Sequence, residues 1–152
     1  MDITLTRGEV KVPNVPYSGY VSDGIGYITL TTFTADAGRN VQSALRDLRT
    51  EDQNIRGVIF DLRGNGGGLL REAVNVSNTF IPKGEEVVST RGKVPERDQS
   101  YSTRMSPIDT DIPLVVLIDK NSASASEIVS GVIQDLDRGV VVGQRSYGKG
   151  LV

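Results

Sequence analysis

Residues 114–133 read LVVLIDKNSASASEIVSGVI, and this stretch decides the fold class. The apolar run Leu114–Ile118 predicts a buried β-strand, and the serine-rich segment after it predicts a turn. Apolar residues then recur at helical spacing, which predicts an amphipathic helix with Val129, Val132, Ile133 and Leu136 on one face. A buried strand that leads directly into a helix is typical of an α/β layered domain, in which ligand chemistry lies at the carboxyl ends of the strands.

The remainder of the chain continues this alternation of strands and helices. Segments 17–21 and 25–31 read as a strand pair joined by an Asp-Gly turn, and segments 3–7 and 9–12 as a hairpin or two strands meeting at a bend. Further strands are predicted at 57–62, 85–90, 100–104 and 140–143, and helices at 36–50 and about 69–80. The second helix is expected to bury Leu70, Ala73, Val74 and Phe80.

Charge and hydropathy exclude several classes of partner. The 17 basic and 19 acidic residues give a net charge of −2 and are spread along 152 residues, so there is no basic stripe for nucleic acid and no polybasic membrane anchor. No apolar run approaches the roughly 20 residues that span a bilayer, and the N-terminus lacks the pattern of a secretory signal. We therefore expect one domain with no nucleic-acid partner, no membrane insertion and no signal peptide in this chain.

The absence of histidine and cysteine restricts the chemistry. Neither a Ser-His-Asp triad nor a Cys-His pair can form, so covalent catalysis would need a hydroxyl activated by a lysine or a carboxylate. Because the carboxylates are scattered and the two strongest metal-ligating side chains are missing, we expect no metal site and no cofactor.

Ser124 is the first candidate for chemistry. It is predicted to lie at a helix N-terminus, where free amides and the helix dipole can stabilise an oxyanion during acyl transfer. From the motif alone a purely structural role is the more common explanation, because Ser124 and Glu127 also match the capping box that begins many helices. Ser122 and Ser126 meet the same physical criteria as Ser124.

Lys149, between Gly148 and Gly150, is the second candidate. A lysine in such a loop is usually solvated. It can act as a general base at neutral pH only where apolar surroundings lower a lysine pKa from about 10.4 toward about 7 to 8. Tyr147, Leu151 and Val152 are expected to supply those surroundings.

The run RGNGGG at 63–68 lies between a predicted strand and a predicted helix. Its amides suit a phosphate or the oxyanion of a tetrahedral intermediate, although a tight turn explains the glycines equally well. It matches neither the P-loop nor the dinucleotide-binding spacing. Asp61 and Asp135 are expected to form ordinary salt bridges with Arg63 or Arg138.

Three segments, 59–68, 121–128 and 142–150, together resemble the C-terminal processing peptidases, also called tail-specific proteases. The resemblance runs from about residue 17 to 152. It implies a serine endopeptidase that cleaves polypeptides near or from their C-termini, with a Clp protease/crotonase-like layered fold of repeated strand-strand-helix units. It also implies that the parent protein acts in the cell envelope or periplasm.

The resemblance assigns roles to particular residues. Ser124 matches the nucleophile and Lys149 the general base of a Ser-Lys dyad. The amide of Ala125, with one from the glycine run, matches the oxyanion hole. The glycine candidates are Gly66, Gly67 and Gly68, and the residues that match supporting positions are Glu127, Asp135 and Ser146.

The resemblance also suggests where the parent protein extends beyond this chain. Residues 1–152 are expected to be a single truncated protease core, with 1–13 as the remnant of the last PDZ strand and a linker. The family has a glutamine four positions beyond the lysine, at a position this chain does not reach. Two alternatives stay open: an inert fragment that binds extended peptides by strand addition, and a crotonase-like acyl-CoA enzyme. Exposed strand edges are expected to allow homo-oligomers.

Overall fold

A five-stranded sheet forms the frame of the domain in a computed structural model that describes residues 12–151. The predicted strands at 3–12, the PDZ remnant and Val152 therefore lie outside the described residues, apart from Val12 and Pro13. The sheet order is β1-β2-β3-β6-β7, with β1 antiparallel to β2 and the other neighbours parallel. The elements are β1 Tyr17–Ser22, β2 Ile25–Thr29, α1 Ala37–Glu51, β3 Gly57–Asp61, α2 Leu70–Ser77, β4 Glu86–Thr90, β5 Gln99–Ser102, β6 Leu114–Ile118, α3 Ala125–Asp135 and β7 Val140–Gly143, with one turn of 3-10 helix at Pro95–Arg97.

The three α-helices pack over one face of the sheet. Alternate strand residues point to this face, and across the parallel strands Ile28, Phe60 and Val116 align in register and are fully buried. Helix α1 adds the predicted stripe of Val41, Ala44, Leu45 and Leu48. The opposite face is less covered, since Ile59 and Val115 are only half-buried. The α/β layered class is thus confirmed, and β1, β2 and α1 form one strand-strand-helix unit.

Two predictions about the middle of the chain were wrong in detail. Helix α2 ends at Ser77 instead of about residue 80, and it buries Val76 while Leu70 and Val74 stay half-buried. The chain leaves the helix through tight turns in which Phe80 and Ile81 both bond back to the Ser77 carbonyl. Phe80 is still fully buried, because these turns direct its ring to within 5.9 Å of the Phe60 ring.

Strands β4 and β5 do not join the main sheet. They pair antiparallel with each other, with Val88 opposite Tyr101, as a separate two-stranded sheet. Helix α3 packs against β4. The two predicted strands therefore exist, and they form a ribbon beside the start of α3.

Three neighbouring parallel strands, β3, β6 and β7, end at the same edge of the sheet. The glycine run follows β3, the serine turn follows β6, and the loop containing Lys149 follows β7. The carboxyl ends of adjacent parallel strands must lie side by side, so this topology alone brings the three sequence candidates together.

Candidate active site

The three serines of the turn differ in what their hydroxyls do. Ser122 is fully buried and donates to the Leu62 carbonyl at 2.8 Å. Ser126 is also fully buried and donates to the Asn65 carbonyl at 2.8 Å. Ser124 is half-buried and lines an open cavity of about 420 Å³. Only the middle serine of the turn therefore lies where an external molecule could meet its hydroxyl.

Ser124 has an unusual backbone conformation. Its φ of 56° and ψ of −114° lie in a region that side chains rarely adopt. Such a conformation costs about 1 to 3 kcal/mol and persists only where surrounding contacts impose it. Helix α3 begins at the next residue, and the Ser124 amide donates to Glu127 Oε2 at 2.8 Å. The carboxylate half of the predicted capping box is therefore present.

Glu127 also holds the loop that carries Lys149. Its Oε1 accepts from the Ser146 hydroxyl at 2.8 Å and from the Gly148 amide at 2.6 Å, while its Oε2 accepts from the Lys149 amide at 3.1 Å. Burial by itself would raise the pKa of Glu127, but these donors and the Ser124 amide lower it below its usual value. One ionised carboxylate thus connects the serine turn with the lysine loop.

The described residues do not supply the apolar surroundings expected for Lys149, and Val152 lies outside them. Lys149 is exposed, and so are Tyr147 and Leu151, at 69% and 75%. The cavity beside Ser124 is bordered by β4 on one side and the lysine loop on the other. Its lining residues are Val88, Ser89, Ser124, Glu127, Ile128, Gly148, Gly150 and Leu151.

The glycine run lies directly against the serine turn. A Cβ at Gly67 would be 2.8 Å from Ser124 Cβ and 2.9 Å from the Ala125 nitrogen, so only glycine fits here. The Gly67 amide donates to Asn65 Oδ1 at 2.8 Å. Within residues 12–151, the amides of Gly66 and Gly68 donate to no protein acceptor. The run therefore offers free donors beside the nitrogen of Ala125, as an oxyanion site requires.

Asn65 is a site residue that the sequence interpretation missed. It is fully buried in the middle of the glycine run, and its side-chain amide bonds both to the Leu30 carbonyl and to Gly67. The only signal in the sequence is the preference of asparagine for turns, where its side chain bonds the backbone two residues ahead. A buried polar bridge of this kind leaves no periodic pattern.

Of the two expected salt bridges, one is present. Arg63 contacts Asp61 at 2.8 Å, and Asp61 also accepts from the Tyr27 hydroxyl. The Asp61 side chain is only 8% exposed, so this pair is not an ordinary surface bridge. Burial would raise the pKa of Asp61, but bonds from Arg63 and Tyr27 lower it.

Asp135 is the predicted residue that the structure does not bring to the site. It is the last residue of α3, about 15 Å along the helix axis from Ala125, and it is exposed. It forms no salt bridge with Arg138, because that guanidinium is half-buried and donates to the Phe80 carbonyl at 2.8 Å. The supporting residues that do meet are Glu127 and Ser146.

The described part of the chain holds no cluster of metal-ligating side chains and no membrane-spanning helix. Over residues 12–151, no three carboxylates come together in a way that could hold a metal ion. None of the helices in the same range has the length and hydropathy needed to cross a membrane.

Comparison with known proteins gives one family. The profile of peptidase family S41 matches residues 24–152. The chain is 38% identical to the carboxy-terminal-processing protease of Bartonella bacilliformis, over 100% of this chain and 35% of that protein. It is 37% identical to the chloroplastic C-terminal processing peptidase of Tetradesmus obliquus, over 99% of this chain and 34% of that protein. The chain thus spans about a third of the length of these relatives.

Solved structures agree with this result. The photosystem II D1 C-terminal processing protease superposes with a TM-score of 0.77 at 30% identity, over 95% of this chain and 39% of that one. The predicted layered α/β fold is therefore confirmed against an experimental structure, as is the resemblance to C-terminal processing peptidases.

Proposed function

The chain belongs to peptidase family S41, and from that premise we propose that it is a serine endopeptidase core that uses a Ser124-Lys149 dyad. The observation that carries the proposal is that the three serines of the turn differ in burial and in the hydrogen bonds of their hydroxyls. Of the three, only Ser124 lines a cavity, and Glu127 connects the helix start beside it with the loop of Lys149. The sequence alone could not separate these serines.

The proposed reaction begins when Ser124 Oγ attacks a peptide carbonyl and its proton passes to Lys149 Nζ. The amide of Ala125 and a free amide of the glycine run, from Gly66 or Gly68, stabilise the oxyanion. As the tetrahedral intermediate collapses, the lysine ammonium returns the proton to the leaving amine. Water then attacks the acyl-serine with the same base, which releases the new carboxylate and regenerates Ser124.

Lys149 must lose most of its hydration to act as a base at neutral pH. Because the lysine is exposed in the described residues, we propose that the bound substrate supplies much of the missing cover. The ribbon strand β4 borders the cavity with Val88 and Ser89, which suits an extended polypeptide lying between β4 and the lysine loop. The relatives are named for C-terminal processing, and we propose that the parent protein cleaves near chain termini as well.

A serine-reactive fluorophosphonate tests the nucleophile. Mass spectrometry of the labelled wild-type chain should place the adduct on Ser124, and the Ser124→Ala variant should take up none. Ser43→Ala is the control, because it removes an exposed hydroxyl on helix α1 that does not line the cavity, and it should label like the wild type. Equal labelling of Ser124→Ala and the wild type would reject the assignment.

One observation favours a second candidate function. The exposure of Lys149 suits a chain that binds extended peptides at its strand edges without cleaving them. The sheet edges β1 and β7 and the ribbon β4-β5 provide the strands. A fragment that binds peptides by calorimetry, yet neither labels nor cleaves, would support this candidate over the peptidase.

A further inference from the structure

We propose that Asn65 is the positioning residue that fixes the glycine run against the serine turn, and that oxyanion stabilisation depends on its carboxamide. The inference rests on the proposed peptidase function. It adds a residue that none of the sequence motifs singled out, and it makes a prediction about geometry that can be measured separately from activity.

The Asn65 side chain uses both of its ends inside the protein. Its Nδ2 donates to the Leu30 carbonyl at 2.8 Å, which anchors the residue just beyond the end of β2. Its Oδ1 accepts from the Gly67 amide at 2.8 Å. Since the residue is 0% exposed, water cannot replace either partner without a rearrangement.

The Asn65 main chain makes the connection to the serine turn. Its carbonyl oxygen accepts from the Ala123 amide at 3.0 Å and from the Ser126 hydroxyl at 2.8 Å. These two donors flank Ser124 in the sequence. One buried residue thus bonds to Leu30 at the end of β2, to the glycine run, and to the serine turn on both sides of the candidate nucleophile, at Ala123 and Ser126.

The side-chain bond also sets the conformation of Gly67. This residue has φ +97° and its α-carbon lies so close to Ser124 that no side chain fits. With the Gly67 amide directed to Asn65, the peptide group between Gly66 and Gly67 is fixed. The next peptide group, which carries the free Gly68 amide, is held by the Phe33 amide, which donates to the Gly67 carbonyl at 3.0 Å. Without the carboxamide, the run would keep its glycines but lose the contact that fixes the Gly66–Gly67 peptide group, which lies between its two free amides.

The chemistry makes this dependence measurable. An oxyanion donor works only when it is fixed at hydrogen-bond distance before the reaction, and a misplacement of about 1 Å can cost about 100-fold in rate. Loss of the Asn65 side chain should therefore slow reaction at Ser124 by about 100-fold. The affinity for peptides should change much less.

Three variants separate positioning from simple destabilisation. Asn65→Ala removes both side-chain bonds. Asn65→Asp is isosteric, and when its carboxyl is protonated it can still accept from Gly67 and donate to the Leu30 carbonyl. Asn78→Ala is the matched control: Asn78 is 2% exposed and also bridges backbone groups, but its partners are Arg104 and Met105.

The first readout is the rate of fluorophosphonate labelling at Ser124, measured where each variant is folded. We expect Asn65→Ala to label about 100-fold more slowly and Asn78→Ala to label at the wild-type rate. Asn65→Asp should fall between them and approach the wild type as the pH is lowered, because protonation restores the donor. Equal rates for Asn65→Ala and Asn78→Ala would overturn the inference while leaving the peptidase assignment intact.

The second readout is amide hydrogen exchange at Gly67, which needs no activity. Exchange should be at least about tenfold faster in Asn65→Ala than in the wild type and unchanged in Asn78→Ala. If the wild type fails to label but Gly67 exchange responds in this way, the proposed function is wrong and the structural role of Asn65 stands. Unchanged Gly67 exchange in a folded Asn65→Ala chain would refute the role itself.

Discussion

Replacing Glu127 with glutamine tests the connection between the serine turn and the lysine loop. The carboxylate accepts four hydrogen bonds, from the Ser124, Gly148 and Lys149 amides and from the Ser146 hydroxyl. A carboxamide keeps one oxygen, and its NH2 group would face donors on the other side. Both amide bonds are lost when the NH2 group faces Ser124 and Lys149. Only the Gly148 bond is lost in the other orientation, because the Ser146 hydroxyl can then accept from the NH2 group.

The expected loss of stability follows from the loss of at least one of these bonds. A hydrogen bond to a charged group contributes about 1.5 to 3 kcal/mol when water cannot replace it. Gly148 and Lys149 are exposed and Glu127 is half-buried, so water recovers part of the loss. We expect Glu127→Gln to lower the free energy of unfolding by about 2 kcal/mol at pH 7.

The lowered pKa of Glu127 determines how the stability difference between wild type and Glu127→Gln changes with pH. The pKa of Glu127 is lowered in the folded chain, so its carboxylate stabilises the fold above the unfolded value of about 4.3. That contribution disappears as the pH falls through the lowered folded pKa. The difference between wild type and Glu127→Gln should therefore be largest near pH 7 and shrink below about pH 4.

Urea unfolding monitored by circular dichroism across this pH range is the assay. Asp135→Asn is the matched control, because Asp135 lies on the same helix, is exposed and accepts no hydrogen bond from the described residues. It should unfold like the wild type at every pH. Equal stability of Glu127→Gln and Asp135→Asn at pH 7, or a stability deficit of Glu127→Gln that does not change with pH, would show that the Glu127 carboxylate does not hold the two loops together.

Three further substitutions give sharp expectations by the same unfolding assay. Gly68→Ala should lower the free energy of unfolding by about 3 kcal/mol, because Gly68 has φ +149° and a Cβ there would lie 2.5 Å from the Phe33 carbonyl oxygen. In Gly66→Ala the new Cβ meets nothing within 4 Å, so this control should be near neutral. Equal effects of the two substitutions would contradict this explanation. Ser124→Gly should raise stability by about 1 kcal/mol while abolishing labelling, since glycine relieves the φ of 56°, and a loss of stability would argue against backbone strain. Tyr27→Phe should cost about 1.5 kcal/mol by removing the donor to the Asp61 carboxylate, and no cost would show that this bond contributes nothing.

The long segments were predictable because the periodicity of their apolar residues alone indicates the type of element and its buried face. Helix α1 spans Ala37–Glu51 with the predicted apolar stripe inward, and β6 and α3 surround the serine turn as residues 114–133 indicate. Helix α2 was less predictable because its eight residues cover barely two turns, too few to fix which face is buried. The pairing of β4 with β5 was also beyond the sequence, since alternation does not identify the sheet that a strand joins.

The residues of the candidate site were predictable from the sequence, but the contacts between them were not. Motif order gave Ser124, Lys149 and the glycine run, and the topology brings their loops to one edge of the sheet. The sequence could not rank the three serines, because their difference is burial against Leu62 and Asn65, which lie about 60 residues away. Asn65 itself was missed for the same reason: a polar residue between glycines reads as an exposed turn.

The most direct test of the central claim asks whether the Lys149 amine activates the Ser124 hydroxyl. The measurement is the fluorophosphonate labelling rate of Ser124 against pH in the wild type and in Lys149→Met, which keeps the length of the side chain and removes the base. If Lys149 is the base, the wild-type rate rises with pH, and the Lys149→Met chain labels slowly with no such rise. An undiminished, equally pH-dependent rate in Lys149→Met would contradict the dyad.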